Sequence, residues 1–404
     1  MPKHKAFYIS NTENKKQLLK NITSGKWFQD LNTRKGAVFS DFTVNAFIEE
    51  ETRHGHFDVQ TATKNSLKNS SEGERKRALL NHILKSSPEY IVLDNVFDCL
   101  DIQAQTKIEN TLTQLSQNTQ IIQIATRKRD ILQFIKTIYV LKDGEPKLYE
   151  APQETKPIHF TQDLPQPYKT DREIFNPLIQ LNKVSVSYGE RPIINNITWQ
   201  IKPGEFWQLI GPNGSGKSTI LSLISGDNPK GYMADMTLFG IKKGSGETVW
   251  DIKKNIGFYT SEMLRGFKRR DTIESMIISG FVDSVGLYNY PTDRQLSIAN
   301  QWLALLNMTA IKDKSFQFLS NGHKRLVLIA RAMVKHPPLL ILDEPTNGLD
   351  DTDAQLFSEL VNKIAKESET AIIYVSHRKE DFITPDFIFE LTPNPTGSVG
   401  KKVI

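Results

Sequence analysis

The sequence predicts an α/β chain that carries one complete phosphate-binding unit and a second copy of it, shortened and degenerate. Three observations predict this. Gly211-Pro212-Asn213-Gly214-Ser215-Gly216-Lys217-Ser218-Thr219 fits G-x-x-x-x-G-K-[ST], between an apolar run of strand length (205–210) and a stretch apolar at helical spacing (218–226). A buried-strand run, 338–345, ends in Asp343-Glu344. Segments of the N-terminal half repeat segments of the C-terminal half at a constant numbering offset of 249.

Each element of the complete unit has a chemical reason. The glycines let backbone N–H groups approach phosphate oxygens, and the N-terminus of the following helix adds a favourable dipole. Lys217 is placed to neutralise the β- and γ-phosphates and the Ser218 hydroxyl to ligate magnesium. Asp343 is the second candidate for the magnesium shell. Glu344 beside it can orient or deprotonate a water that attacks the γ-phosphate. Between these elements, "FLSNGHKRLVLIARAM" (318–333) sets a Ser–x–Gly turn before a long amphipathic helix. "IIYVSH" (372–377) is a strand run ending in His377, and "VSVSYG" (184–189) places Tyr188 upstream of the phosphate loop.

This ordered set resembles the nucleotide-binding domain of ATP-binding cassette (ABC) proteins over about residues 178–404, so the expected fold is two tandem P-loop NTPase domains. The resemblance implies that Tyr188 stacks on adenine, that His377 contacts the γ-phosphate, and that Ser320 and Gly322 form the signature loop. It also implies that the signature of one domain closes over ATP held by another. Two positions depart from the family pattern. The signature, normally LSGGQ, reads "LSNGH" (319–323), and Ser261 stands where a magnesium-contacting glutamine is expected. Residues 238–258 and 277–295 are similar to the molybdate-transport-associated, or photorepair-type, ATPases, a family with tandem members and with serine near that position.

The N-terminal half repeats the landmarks. Ser71 and Gly73 lie over Ser320 and Gly322, Asp94 over Asp343 and Asp101 over Asp350, with eight identities across 32 residues at one register. "IIQIATRKRD" (121–130) matches 372–381 at 251. Upstream, "GAVFSD" (36–41) fits 257–262 at 221, and "ISNTENKKQLLKNITSG" (9–25) fits 210–226 at 201, a shortfall of 48 residues. At that register Lys16 is the retained phosphate-loop lysine. Ser10, Glu13 and Lys15 replace the glycines, Gln17 the magnesium-ligating serine, Asn95 the glutamate and Thr126 the histidine. An amide is not a useful base, so this half is expected not to hydrolyse ATP. The expected organisation is a degenerate cassette over 1–150, a Pro-rich linker over 151–177 and a complete cassette over 178–404.

The expected partners are ATP with Mg2+ and, within the chain, the other cassette. ATP on Gly211–Thr219 would be capped by Ser71 and Gly73, leaving one catalytic site and one inert one. The expected function is the ATP-binding component of an ABC transport system with a membrane permease as candidate partner, the alternative being a soluble regulatory ABC ATPase; nucleic acid and the ribosome are disfavoured, since the net charge is only +5 and the linker is short and Pro-rich. An apolar plus charged composition of 38% and 24%, no leader pattern, no run of 18 apolar residues and a single cysteine, Cys99, lead to the expectation of a cytoplasmic protein, at most peripheral at the cytoplasmic face of the membrane.

Overall fold

The structure is a computed structural model. It describes residues 2–403 apart from 62–64, 99, 152–158, 169–172, 268, 269, 285, 288, 289 and 378, and the side chain of Arg265. Cys99, Pro152 and Pro157 therefore lie outside the described residues. The chain divides into two compact units: Met1–Lys156 with Gly348–Thr352, and Pro157–Asn347 with Asp353–Ile404.

In the first unit the elements run β1 (Lys5–Tyr8), α1 (Lys15–Thr23), β2 (Gly36–Phe39), α2 (Asp41–His54), α3 (Glu72–Lys85), β3 (Tyr90–Asp94), α4 (Ile102–Leu115), β4 (Gln120–Ala125), β5 (Thr137–Lys142) and β6 (Glu145–Leu148). Its six-stranded sheet has the order β2-β3-β4-β1-β5-β6, parallel except for the last pair. Strand side chains alternate between faces. Phe7, Tyr90, Val92, Ile122 and Ile124 pack with Leu18 and Ile22 of α1. Ala6, Ile91, Leu93 and Ile121 pack with Leu79, Ile83, Ile108 and Leu112 of α3 and α4. Buried on both faces, β3 and β4 read in the sequence as continuous apolar runs.

The second unit runs β7 (Ile179–Tyr188), β8 (Arg191–Ile201), β9 (Phe206–Ile210), α5 (Lys217–Ile224), β10 (Met236–Leu238), β11 (Ile241–Lys242), α6 (Val249–Lys253), β12 (Ile256–Thr260), α7 (Met263–Gly266), α8 (Ile273–Ile278), α9 (Asp293–Leu305), α10 (Asn321–Met333), β13 (Leu339–Asp343), α11 (Asp351–Glu367), β14 (Ala371–Ser376), β15 (Phe387–Thr392) and β16 (Val399–Lys402). Its main sheet, β12-β13-β14-β9-β15-β16, has the strand order and directions of the first unit's sheet. A separate four-stranded sheet, β11-β10-β7-β8, has no counterpart among the described residues of the first unit. The helices α8 and α9 before the signature correspond, among the described residues of the first unit, to the single α-helix α2. These two omissions account for the shortfall, which the sheet registers put at 47 residues rather than 48: one removes chain between the phosphate loop and β2, the other between β2 and α3.

Sheet register fixes the correspondence and corrects it in two places. Tyr90 pairs with Gln120, and Leu339 with Ala371, which gives offsets of 249 and 251. Lys5 pairs with Ile122, whereas Trp207 pairs with Ile373, so β1 matches β9 at 202 and not at 201. Gly36 pairs with Tyr90 and Ile256 with Leu339, so β2 matches β12 at 220 and not at 221.

The equivalences extend to backbone detail. Ser87 and His336 both adopt positive φ (45° and 50°), as do Asn95 and Glu344 (43° and 48°). The N–H of Asn95 donates to Ile124 O and that of Glu344 to Val375 O, each across to the neighbouring strand. Part of the Pro-rich segment is bound to the second unit rather than free. His159 meets Glu359 at 2.8 Å, and the N–H of Gln166 donates to Gln301. The Tyr168 ring packs on Phe281 with centroids 4.9 Å apart.

Candidate functional site

In the second unit, β9 delivers the chain into the phosphate loop and α5 leaves it. Gly214 and Gly216 sit at φ of +78° and +92°, where a side chain is strained. A Cβ at Gly216 would also lie 2.5 Å from Ile194, and one at Gly211 would lie 2.7 Å from Ser215 Oγ. No side chain caps the start of α5. Its first N–H groups are thus left for an outside acceptor, the arrangement that binds phosphate. Asn213, Gly214 and Ser218 are exposed on the loop, and Ser215 is buried beneath it. Thr219 lies in the first turn of α5, where its carbonyl accepts from Ser222 Oγ at 2.8 Å.

Lys217 is 6% exposed, and its ammonium donates to Gly211 O (2.6 Å) and Pro212 O (3.1 Å). It also lies 3.4 Å from His377 Nδ1. His377 Nε2 in turn lies 2.6 Å from Glu344 Oε1, and Asn347 Nδ2 donates to Glu344 Oε2 at 2.6 Å. Lys217, His377 and Glu344 thus form one chain of contacts. Burial raises the Glu344 carboxyl, but His377, Lys217 and Asn347 together bring it below the usual carboxylate range. A carboxylate held ionised and fixed at both oxygens is suited to accept a proton from a water.

Asp343, next to it, is pushed the other way, up to about 6, by burial and then by the charge of Glu344, against Lys217 and His377, with Glu262 adding repulsion. A divalent cation beside Asp343 would relieve that repulsion. Asp343 and the exposed Ser218 hydroxyl are hard oxygen donors that fit Mg2+.

Tyr188, at the end of β7, is 49% exposed, and its hydroxyl accepts from Asn228 Nδ2 at 2.9 Å. Asn228 also bonds Ser222 Oγ and the Ser222 carbonyl of α5. A tether of three residues therefore ties the exposed ring to the helix of the phosphate loop.

In the first unit the corresponding positions are arranged differently. With β1 matched to β9 at 202, the counterpart of Lys217 is Lys15, not Lys16. Ile9, Thr12 and Asn14 stand for the three glycines, and Lys16 for Ser218. The Asn14 side chain accepts from the Gln17 N–H, so the start of α1 is capped from within the chain. Lys15 Nζ lies 3.1 Å from Asp94 Oδ1, the counterpart of Asp343. Asn95 Oδ1 accepts from the Thr126 N–H at 3.2 Å, an amide–backbone bond where the other copy has the Glu344–His377 contact.

Ser71 and Gly73 stand at the start of α3. The Ser71 hydroxyl caps Glu74 N–H and donates to the Glu74 carboxylate at 2.8 Å. Ser320 caps α10 in the same way, with His323 Nδ1 at 2.7 Å. The two glycines differ. A Cβ at Gly322 would fall 2.2 Å from the Asp353 carboxylate, whereas one at Gly73 would meet nothing closer than Leu100 at 3.5 Å. Gly322 is explained by packing; Gly73 is not.

Sequence reasoning missed Asn228, which lies in no motif, and the role of Asn347, which opens the landmark "NGLD" (347–350). It also missed a basic pair that the repeat does signal. Lys76 donates to Asp98 O at 2.9 Å, and Arg325, 249 residues on, donates to the carbonyls of Pro345 and Asn347. Both buried cations pin the turn that follows the Asp94 or Asp343 strand.

A glycine-lined loop on an uncapped helix, a carboxylate pair at the end of the adjacent strand and a capped signature helix define an ABC-type ATP-binding cassette. Residues 194–347 match the family model described as ABC transporter. The ABC transporter ATP-binding protein ModF of Escherichia coli (strain K12) is 37% identical over 390 residues, 90% of this chain and 80% of that protein. The zinc uptake system ATP-binding protein ZurA of Listeria innocua is 35% identical over 50% of this chain and 77% of its own length. Among solved structures, the RNase-L inhibitor shares the fold with a TM-score of 0.65 over 98% of this chain and 85% of that one, at 15% identity. The chain belongs to the ABC transporter ATP-binding proteins, in the family of ModF. Among the described residues, no helix is long and apolar enough to cross a membrane.

Proposed function

We propose that the protein hydrolyses Mg-ATP at a single site on Gly211–Thr219 and that its first cassette serves that site without hydrolysing ATP itself. The contact chain Lys217–His377–Glu344, set against Lys15, Thr126 and Asn95 in the other copy, carries this reading. In it, Gly211, Asn213, Gly214, Ser215, Gly216 and Thr219 cradle the phosphates, and Lys217 leaves its two carbonyls to neutralise them. Tyr188 stacks on adenine, tethered by Asn228. Ser218 and Asp343 would hold Mg2+, which supplies charge neutralisation at the β- and γ-phosphates. Glu344 takes the proton of the attacking water, and His377 orients Glu344 and faces the γ-phosphate.

The reading further assigns Ser71 and Gly73 to cap the γ-phosphate of that ATP. The spare room at Gly73 supports it, because nothing in its own unit demands a glycine there. The Ser71 hydroxyl would have to exchange its Glu74 acceptor for phosphate. Ser71→Arg is expected to abolish ATP hydrolysis while Ser320→Arg leaves most of it, measured as phosphate release from full-length protein. The reverse order would assign the cap to a second copy of the chain. Coupling to a permease at the cytoplasmic face of the membrane is the transport-linked form of this function. The names of the ModF and ZurA relatives support it, while Ser261 in place of glutamine does not favour the family's usual relay.

A further inference from the structure

Flanking the Glu344–His377 contact, the second unit buries Gln208, Thr346, Tyr374, Ser376 and Glu380. Gln208 on β9 pairs opposite Tyr374 on β14, and Ser376 is two residues on, so all three share one face of the sheet. Gln208 Nε2 donates to Ser376 Oγ at 2.9 Å, and Ser376 directly precedes His377. Thr346 stands two residues past Glu344, and Glu380 three residues past His377. The Thr346 hydroxyl donates to Glu380 Oε1 at 3.3 Å and lies 3.2 Å from the Tyr374 hydroxyl. The segment that carries Glu344 and the segment that carries His377 are thus joined twice, once by the contact of the pair itself and once by buried hydrogen bonds.

Burying polar groups costs stability, and their hydrogen bonds return only part of it. The first unit shows that the fold does not need this cluster. At the same registers Ala6 and Ala125 stand for Gln208 and Ser376, and Phe97, Gln123 and Arg129 stand for Thr346, Tyr374 and Glu380. Phe97 joins the apolar core, Gln123 bonds Asp130 O and the Leu132 N–H, and Arg129 is exposed. The strand order and the positive φ after the Asp94 or Asp343 strand are nevertheless the same in both units. Of the two units, the one that has Glu344 and His377 has the cluster. We infer that Thr346, Tyr374 and Glu380, together with Gln208 and Ser376, are positioning residues: they fix the two segments so that Glu344 and His377 meet in the geometry that proton transfer from a water requires. Misplacing such a group by about 1 Å can cost about 10² in rate. The inference deepens the proposed hydrolysis, and its rate readout rests on that reading.

Steady-state ATP hydrolysis by full-length variants tests the inference. Thr346→Val keeps the shape and removes the hydroxyl; its kcat should fall about tenfold or more, with KM for Mg-ATP within about twofold of wild type. Thr346→Ser, which restores a hydroxyl, should keep at least about half of the wild-type kcat. Ser376→Ala, matching Ala125 of the first unit, should lower kcat by about threefold to tenfold, and it carries the test if Thr346→Val does not fold. In a Glu344→Gln background, Thr346→Val should cost less than about twofold, because the group it positions is gone. Full kcat in Thr346→Val, or in Ser376→Ala where that variant stands in for it, would overturn the inference. So would equal losses in Thr346→Ser and Thr346→Val, or a further loss of about tenfold on adding Thr346→Val to Glu344→Gln. Wild-type protein that hydrolyses no ATP would end the proposed function instead. The crystal structure of Thr346→Val then decides the positioning role by itself: loss of the 2.6 Å Glu344–His377 contact supports it, and an intact contact rejects it.

Discussion

The starts of α5 and α1 are the same place in two copies of one fold, and they differ in what completes them. At α5 the turn is made by glycines, the helix N-terminus is uncapped, and Lys217 rests on two backbone carbonyls it can leave. At α1 a side chain caps the helix, and the lysine is committed to a carboxylate. The first arrangement is incomplete without an anion and the second is complete with none. The difference between the two loops is therefore not just loss of glycine. The lysine side chain and the Gln17 N–H each have a partner inside the first unit.

The difference can be tested from either side, and the largest effect is expected at the base. Glu344→Gln removes the charge that His377 and Asn347 hold in place while keeping the shape. Its kcat for ATP should fall by about 10² to 10⁴, the range for a positioned general base, with Mg-ATP still bound. Wild-type turnover in that variant, measured by phosphate release, would remove Glu344 from the role.

A smaller effect of a different kind is expected in the other copy. Lys15→Met leaves Asp94 buried without its cation, and Asp94 is already raised above the usual carboxylate range by burial, with Lys15 acting to lower it. Lys15 is one quarter exposed, so screening reduces the loss to about 1–3 kcal/mol of stability. Denaturant unfolding should show that loss, with KM for ATP unchanged. A variant of wild-type stability with a raised KM would make Lys15 a nucleotide ligand.

How much of this was legible follows from which residues survived. The strands β3 and β4 carry Asp94 and the apolar runs of a sheet buried on both faces, and their offsets of 249 and 251 were readable to the residue. The offset at the phosphate loop was not. At 201 the stretch 9–25 shares four identities with the complete loop, and at 202 it also shares four. With the glycines gone no landmark separates the two, and only the pairing of β1 with β4 decides, moving the key lysine from Lys16 to Lys15. Catalytic candidates in the complete copy were visible because each sits in a motif at a strand end. Asn228 was invisible, and the role of Asn347 within "NGLD" unreadable, because the work of each is to hold another side chain. Residues such as Gly348–Thr352 could not be assigned to the first unit from sequence, since nothing in "GLDDT" states what it contacts.

The central claim, that one copy is a nucleotide site and the other is complete without nucleotide, is tested most directly by binding stoichiometry. Equilibrium binding of Mg-ATP to the Glu344→Gln protein should saturate at one nucleotide per chain, and adding Lys217→Ala should remove that one. Saturation at two per chain, or retention of one after Lys217→Ala, would contradict the claim.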